Sequence, residues 1–376
     1  MAGIYIHIPF CRQACHYCNF HFSVSIRNRP AFIDALVNEA ALQSDFLDGE
    51  TIDTIYIGGG TPSVLGISEL IRIYAALHKS FSLEGVREFT LEANPDDLTI
   101  EKLMSLRQLP VNRLSIGVQS FHHSDLRYMN RIHSPVQAVE CILNAQKLGF
   151  DNISVDLIYG TPGMTDKMWE NNIMQVMELG VPHISAYALT VEKNTALEYF
   201  IRKGRAEPVS DSQSARQFEI LCRFCAGHGY EHYETSNFCL PGHYSRHNIS
   251  YWTGSHYLGL GPSAHSYRSN TRYWNVSNTS LYTESLRASV LPCENEVLSP
   301  VQSFNEYIMT SLRTSVGCDM ERVRDIWGEQ MLSGLEKRAV KYLKQSLLKR
   351  QNSHLIITQN GKFLADGIAA GLFSDE

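Results

Sequence analysis

The feature that most constrains the fold is an alternation of short β-rich runs with amphipathic helical stretches through the first half of the 376-residue chain. The β-rich runs start near Ile4, Thr54, Glu88, Arg113, Ile153 and His183. Apolar residues at helical spacing separate the runs, as in the stretch containing Phe32, Ile33, Leu36 and Val37. Such alternation is typical of a parallel α/β architecture. The sequence therefore predicts an α/β fold with six strand–helix units.

Chemically distinctive residues follow the predicted strands. After the first five strands come, in order, a cysteine loop at 11–18, a glycine run at 58–62, the stretches 92–95 and 117–120, and Asp156. In barrels of parallel strands the active site is built at the carboxyl ends of the strands. The pattern predicts a single pocket to which five strands contribute.

Three cysteines in the first loop, Cys11, Cys15 and Cys18, indicate an iron–sulfur centre. A four-iron cluster takes one thiolate per iron, so three cysteines leave one iron open to a small molecule. Zinc is the alternative, but structural zinc sites are closed sets of four ligands. The nearest fourth ligands, His16 and His21, complete no familiar zinc pattern. We expect a 4Fe-4S cluster.

The charge balance argues against nucleic acid as the main partner. Lys and Arg total 33 against 39 Asp and Glu, which gives a net charge of -6 and a pI near 6.2. The start of the chain lacks the pattern of a secretory signal, and no apolar run is long enough to span a bilayer. Nine unevenly scattered cysteines do not suggest a disulfide framework. We expect a cytoplasmic protein.

The pattern changes after about Gly204. A long helix from about Asp211 to Gly227 leads into an aromatic, His-rich stretch, and helices rich in Leu and basic residues follow beyond about Pro292. These shifts predict three parts: a barrel at 1–205, an extension that completes the core at 206–291, and a small helical or winged-helix-like cap at 292–376.

Several strand-end residues have the chemistry of a ligand site. The glycine run at 58–62 lets backbone approach a ligand closely, although it is equally typical of a tight strand-to-helix turn. Glu92 and Asp156 are able to accept hydrogen bonds from an ammonium group or ribose hydroxyls, or to serve only as caps and ion-pair partners. Arg131, with Gln119 upstream, is suited to clamp a carboxylate or to lie on a solvated face.

The run from His247 through Asn248 to Tyr251 and Trp252 is distinctive in the second half of the chain. Imidazole is a natural axial ligand of haem iron, and aromatic neighbours suit a flat macrocycle. An aromatic corner of the core is the alternative interpretation. His243 is close enough in sequence to replace His247 as a ligand.

Together these motifs resemble the oxygen-independent coproporphyrinogen oxidase family of the radical S-adenosylmethionine superfamily. The matching stretches are IHIPFC at 6–11, GGGTP at 58–62, GVQSF at 117–121, DLIYG at 156–160 and FLADG at 363–367. Within that family the chain looks like the HemW-type haem chaperones. The oxidases carry a further cysteine where this chain has Phe20, and a longer N-terminal segment before the position of Tyr5. His247, Asn248 and Tyr251 match a motif that the chaperones associate with haem.

The resemblance implies a partial (β/α)6 TIM-like barrel of the radical S-adenosylmethionine type, followed by a smaller C-terminal domain. It implies a 4Fe-4S cluster on the three cysteines and haem near His247, Asn248 and Tyr251. The residues implied around S-adenosylmethionine are Tyr5, Tyr17, Gly59, Gly60, Thr61, Glu92, Gln119, Arg131, Asp156 and Ala188.

The expected function is a haem chaperone that delivers haem to acceptor proteins with the help of a reductant. A radical enzyme acting on a porphyrinogen is the alternative, so enzymatic activity stays open, while coproporphyrinogen oxidation is expected to be absent. A dimer and a peripheral contact with membranes are further expectations.

Overall fold

The computed structural model describes residues 1–375. Its strands are β1 (Ala2–Ile8), β2 (Ile52–Gly59), β3 (Glu88–Ala93), β4 (Arg113–Gln119), β5 (Asn152–Tyr159), β6 (His183–Ala188), β7 (Glu231–Glu234), β8 (Asn237–Cys239), β9 (Tyr257–Leu260), β10 (His265–Arg268), β11 (Thr271–Asn275), β12 (Cys293–Val297), β13 (Cys318–Asp319), β14 (Leu348–Gln351) and β15 (His354–Ile357).

The helices alternate with the strands through the first half of the chain and dominate the second. They are α1 (Arg29–Leu42), α2 (Ile67–Ser80), α3 (Ile100–Leu106), α4 (His123–Tyr128), α5 (Pro135–Lys147), α6 (Asp166–Glu178), α7 (Ala196–Arg202), α8 (Asp211–Gly227), α9 (Arg246–Thr253), α10 (Thr279–Arg287), α11 (Pro300–Leu312), α12 (Met320–Lys344) and α13 (Ala365–Ala370). Short 3₁₀ turns cover Pro62–Val64, Pro95–Asp97 and Gln359–Leu364. Within residues 1–375, no helix is long and apolar enough to cross a bilayer.

One open, mixed sheet of twelve strands forms the body of the described chain. Its strand order is β12-β11-β10-β9-β1-β2-β3-β4-β5-β6-β8-β7. Strands β1 to β6 pair in parallel, which confirms the predicted α/β fold with six strand–helix units. The sheet does not close, because β7 and β12 lie at opposite ends of the order.

The second half of the chain adds a parallel strand that the sequence analysis did not identify. β9 pairs in parallel with β1 over four residues, with Gly3 opposite Tyr257. The run from Tyr257 to Leu260 is only four residues long and includes a glycine, so it carries little strand signal. The sheet therefore continues beyond β1 through β9, as well as beyond β6 through β8.

The parallel strands are buried on both faces, as expected where helices cover a sheet. In β1, Ile4, Ile6 and Ile8 are fully buried. On the outer side, α1 and α2 pack against each other and contribute Phe32 and Leu70 to the same core. Apolar residues recur at every second position of these strands, as Ile4, Ile6 and Ile8 do, because they share the face that packs into this core.

Two helices begin with the same local signal. At the start of α5, the Ser134 hydroxyl accepts a hydrogen bond from the backbone N–H of Gln137, while the Gln137 side chain accepts one from the Ser134 N–H. Ser299 and Gln302 repeat this reciprocal pair at the start of α11, and a proline follows the serine in both places. Each pair satisfies two otherwise unbonded N–H groups, which fixes the helix start.

A fully buried carboxyl group joins α1 to the second half of the sheet. Glu39 accepts hydrogen bonds from the Gly261 N–H at 2.8 Å, the Asn275 side-chain amide at 2.6 Å and the Tyr282 hydroxyl at 2.5 Å. Burial raises the pKa of Glu39 to about 7 despite these three donors. Glu39 thus joins segments that are more than two hundred positions apart in the sequence.

The last part of the described chain has its own hydrophobic cluster, which includes Phe304, Val323 and Leu355. Its three-stranded sheet has the order β13-β15-β14 and packs with α11, α12 and α13, a small helical and winged-helix-like arrangement. Arg313 links this cluster to the body, since its guanidinium contacts the carboxylate of Glu234 at 3.0 Å and the ring of Trp252. The division of the chain at 205 and 291 stays a prediction.

Candidate functional site

The carboxyl ends of the parallel strands surround a cavity of about 430 Å³. It is hereafter called the thiol cavity, because the three cysteines lie in its wall. The predicted site residues that line it are Cys11, Cys15, Tyr17, Cys18, Gly59, Gly60, Thr61, Glu92, Gln119, Arg131, Asp156 and Ala188. The structure brings these residues together in one place, and their individual roles stay predictions.

The three thiols are half-buried in the loop that follows β1. Thr61 donates a hydrogen bond to the Cys11 sulfur at 3.4 Å, and Arg131 Nη1 donates one to the Cys15 sulfur at 3.4 Å. Burial raises the pKa of the Cys11 thiol to about 11, so its thiolate needs a bound metal or a close cation. Both donors are placed to stabilise negative charge on sulfur.

The cysteine loop and the glycine run meet so closely that a side chain would not fit between them. A Cβ atom on Gly60 would lie 2.8 Å from the carbonyl oxygen of Phe10 and 3.0 Å from the Cys11 sulfur. The Gly60 N–H in turn donates a hydrogen bond to the Ile8 carbonyl at 2.8 Å. Glycine at this position therefore holds the second strand-end loop directly against the cysteines.

The donor set fits a cluster with one open iron. Within residues 1–375, no group of three or more His, Cys, Asp or Glu side chains converges on a point that one metal ion would occupy. A four-iron cluster makes a different demand, because each thiolate binds a separate iron. Three thiols and no further cysteine line the thiol cavity, which is the composition that such a cluster requires.

Arg131 connects the cysteine loop to the ends of two strands. Its Nη2 donates hydrogen bonds of 2.6 Å to both the Asn94 side-chain oxygen and the Gly117 carbonyl. The neighbouring Gln119 adopts a positive φ of 66°, an unusual conformation for a residue with a side chain. The two hydrogen bonds of Nη2 hold the guanidinium beside the thiols, where it would meet a carboxylate-bearing ligand.

Two carboxyl groups lie deeper in the thiol cavity. Glu92 accepts hydrogen bonds from the Tyr56 hydroxyl at 2.7 Å and the Gly59 N–H at 3.1 Å, and Asp156 accepts one from Ser115 at 3.3 Å. Burial raises the pKa of Glu92 to about 7 and that of Asp156 to about 6. Both groups are able to accept further hydrogen bonds from an ammonium group or hydroxyls.

The raised pKa of Glu92 predicts a pH dependence of ligand binding. If Glu92 binds the ammonium of S-adenosylmethionine as a carboxylate, lowering the pH through about 7 protonates it and weakens binding. One pH unit below that pKa leaves about a tenth of the group ionised, so we expect up to about tenfold lower affinity near pH 6 than near pH 8. Calorimetric titration with S-adenosylmethionine measures this.

A matched pair of variants tests that prediction. Glu92→Gln should bind weakly at both pH values with little pH dependence, whereas Glu101→Gln, at an exposed position, should behave as the wild type. Equal affinity of the wild type at the two pH values would contradict the assigned role of Glu92.

The predicted haem residues His247, Asn248 and Tyr251 all belong to α9. His247 is 1% exposed, its Nδ1 is 2.7 Å from the Thr54 hydroxyl, and its Nε2 is 2.8 Å from the Tyr251 hydroxyl. Burial lowers the pKa of His247 to about 3, so the ring is neutral and uses one nitrogen as donor and the other as acceptor. Gly3 makes room for it, because a Cβ there would lie 3.2 Å from the ring.

His247 is thus buried and stacked on Tyr56, with ring centroids 5.1 Å apart. Asn248 lines neither the thiol cavity nor its larger neighbour, whereas Tyr251 lines the larger one. Haem ligation by His247 stays a prediction, and it requires the Tyr251 hydroxyl to leave Nε2.

A second, larger cavity of about 1020 Å³ adjoins the thiol cavity and is hereafter called the aromatic cavity. The two share Asn19, Phe20, Gly59 and Glu92 in their walls. Tyr5 lines the aromatic cavity rather than the thiol cavity. The rings that line it are those of Tyr5, His7, Phe20, His21, Tyr251, Trp252, Tyr257, His265, Tyr267, Tyr307 and Trp327.

Several contributing residues were not identified from the sequence. Asn94, Ser115 and Gly117 line the thiol cavity, and two of them lie in strand-end stretches that the sequence already singled out. The position of Asn94 and Gly117 at strand ends is the sequence feature that identifies them as candidates. Tyr307 and Trp327 lie on α11 and α12, where nothing in the sequence distinguishes a cavity-lining ring from a core ring.

Comparison with known proteins agrees with this geometry. The Radical SAM superfamily matches residues 5–175. The solved structure of coproporphyrinogen III oxidase (HemN) from Escherichia coli, described as a Radical SAM enzyme, is similar with a TM-score of 0.86 and 22% identity. The similarity covers 99% of this chain and 90% of that one, and it shows that the two share a fold.

Curated relatives specify the family. Heme chaperone HemW from Lactococcus lactis is 35% identical over 99% of this chain and 97% of its own length. Heme chaperone HemW from Bacillus subtilis is 34% identical over 98% of both chains, and the Mycobacterium tuberculosis protein of the same name is 34% identical over 98% of this chain and 94% of its own. The chain therefore belongs to the HemW family of haem chaperones, within the radical SAM superfamily.

Proposed function

We propose that this protein is a haem chaperone that carries a 4Fe-4S cluster on Cys11, Cys15 and Cys18, binds S-adenosylmethionine beside it, and delivers haem to acceptor proteins. The supporting observation is the pair of adjoining cavities. One is lined by three thiols and strand-end polar groups, and the other is large and aromatic and shares four wall residues with the first.

The thiol cavity has the groups that a cluster and an amino-acid-bearing ligand need. Cys11, Cys15 and Cys18 would hold the cluster, which would pass an electron from a reductant for cleavage of the sulfur–ribose bond of S-adenosylmethionine. Arg131 offers its guanidinium beside Cys15, where it neutralises charge on sulfur and on a carboxylate. Glu92 and Asp156 orient the ligand by accepting hydrogen bonds, and their burial excludes water from it.

The aromatic cavity has the chemistry of a porphyrin site. Its volume is at the upper end of the range for small-molecule sites, and most of its lining surface is apolar. Aromatic rings offer flat apolar faces to a macrocycle, and histidines offer iron ligands. Haem in this cavity would lie beside the cluster loop, which gives the cluster and S-adenosylmethionine a route to influence haem transfer.

The competing function is oxidation of a porphyrinogen. The residue at position 20 distinguishes this function from that of a haem chaperone. Phe20 stands where the oxidases carry a further cysteine, is 69% exposed and lines both cavities. An apolar ring there contributes packing surface but no thiol. The protein should therefore hold a porphyrin without decarboxylating it.

A single assay separates the two functions. Reconstituted protein is incubated without oxygen with coproporphyrinogen, S-adenosylmethionine and a reductant, and the porphyrins are then separated by chromatography. We expect unchanged coproporphyrinogen, while the same preparation retains haem on a desalting column. Conversion to protoporphyrinogen, catalytic in protein, would restore the oxidase interpretation.

The proposed function also names partners. A chaperone needs haem-accepting proteins, and cleavage of S-adenosylmethionine needs a reductant. A dimer, a peripheral contact with membranes that hold haem-requiring enzymes, and a cytoplasmic location complete the proposal.

A further inference from the structure

We infer that His265, rather than His247, binds the haem iron in the aromatic cavity, with Arg322 contacting the haem carboxylates and His247 acting as a positioning residue for Tyr251. The inference rests on the proposed function, because it concerns where and how haem is held. It assigns the site to β10 and α12 rather than to His247, Asn248 and Tyr251 on α9.

Three histidines line the aromatic cavity, and their hydrogen bonds distinguish them. Both ring nitrogens of His7 have partners: Nδ1 is 3.1 Å from the Tyr5 hydroxyl and Nε2 is 2.9 Å from the His21 carbonyl oxygen. His21 Nε2 is 2.9 Å from the Thr279 hydroxyl. His265 is exposed, and among residues 1–375 no group hydrogen-bonds to its ring, whose one described contact is with the ring of Trp274.

The environment of His265 also favours the form that binds iron. Partial desolvation of the ring in the cavity wall and the neighbouring charge of Arg272 lower the pKa of its imidazole below the ordinary value. The ring is therefore neutral at physiological pH, and a neutral imidazole has the lone pair that a metal takes. Of the three cavity histidines, it alone has no described hydrogen bond on either ring nitrogen, whereas His7 has two and His21 has one.

His247 is less suited to be the ligand. Its two nitrogens are held by Thr54 and Tyr251, and the residue is 1% exposed and lines neither cavity. To reach iron it would have to give up a hydrogen bond and leave its buried position against Tyr56. Its geometry instead fixes the Tyr251 side chain, which does line the cavity.

The cavity also has a cation suited to the two carboxylates of haem. Arg322 is exposed in its wall and lies over the Tyr307 ring at 4.9 Å, with no ion pair among the described residues. The other nearby charges, Arg272 and Glu306, form an ion pair with each other at 2.8 Å. Among the described residues that line the aromatic cavity, Arg322 is thus the one positively charged side chain without an ion pair.

Haem titrations of single variants test the iron ligand. We expect His265→Ala to shift the Soret band and to weaken haem binding at least about tenfold, with added imidazole restoring the wild-type spectrum. His247→Ala should keep the wild-type Soret position if it remains folded by circular dichroism. The control His228→Ala, at an exposed position outside both cavities, should match the wild type.

Two outcomes would overturn the assignment. One is a His265→Ala protein with unchanged spectrum and affinity, and the other is a folded His247→Ala protein that alone loses the ligated-iron spectrum. A wild type that takes up no haem would instead contradict the proposed function, and the inference would fail with it.

A second pair of titrations tests Arg322. Arg322→Ala should bind haem about threefold to fivefold more weakly, because an exposed charge pair is worth that much, yet bind haem dimethyl ester as the wild type does. Arg324→Ala, an exposed arginine of the same helix outside the cavity, is the matched control. An equal loss for haem and its ester, or no loss for either, would remove Arg322 from the site.

Discussion

Replacing Cys11, Cys15 and Cys18 together by Ala should leave the protein without an iron–sulfur cluster after anaerobic reconstitution. The thiols line one cavity, and each would hold a separate iron, so no side chain is left to anchor the cluster. We expect iron and sulfide at background and no charge-transfer absorption in the visible range. Each single Ala variant should lose most of the cluster as well.

Cys293→Ala is the matched control for the cysteine experiment. Cys293 is half-buried like the three loop cysteines, but it lies on β12 outside the thiol cavity. It should reconstitute as the wild type does. Wild-type levels of iron and sulfide in the triple variant would show that the cluster assignment is wrong.

Glu39→Ala should destabilise the fold by at least about 3 kcal/mol. The substitution leaves the Gly261 N–H, the Asn275 amide and the Tyr282 hydroxyl buried without their acceptor, and each orphaned donor costs about 1–3 kcal/mol. Tyr282→Phe removes one hydrogen bond only, so it should cost clearly less. Urea unfolding followed by circular dichroism gives both free energies of unfolding.

The same carboxyl group predicts how stability depends on pH. The pKa of Glu39 is raised to about 7 in the folded chain from 4.5, so between these values the folded state binds a proton that the unfolded state has released. The contribution of Glu39 to stability therefore falls as the pH rises from about 4.5 to about 7. Glu39→Gln should lose this component, and an identical pH profile in the variant and the wild type would contradict it.

The parallel part of the fold was predictable because burial dictates residue type. The runs beginning near Ile4 and Ile153 carry a buried apolar residue at every second position, and helices with an apolar stripe separate the strands. Since the carboxyl ends of parallel strands meet at one edge, the cysteines, Glu92 and Asp156 were expected to share a cavity. The structure places them in one.

The rest of the site depends on contacts between distant segments. β9 is a four-residue strand, and only its pairing with β1 gives it a place in the sheet. His247 lies in a motif that predicts a ligand, but its ring is occupied by two hydrogen bonds. Tyr251 is one helical turn away on α9, whereas Thr54 is brought to the ring only by tertiary packing. The aromatic cavity likewise requires α11 and α12 to lie across β9 and β10, which no local pattern specifies.

Haem transfer tests the central claim most directly. Reconstituted protein loaded with one haem per chain is mixed with an apo-form haem acceptor, and the change in the Soret band is followed at increasing acceptor concentration. A chaperone passes its haem within a complex, so the observed rate constant should rise with acceptor concentration and exceed the rate of haem loss to an unrelated scavenger. A rate constant independent of the acceptor and equal to passive haem loss would contradict the account.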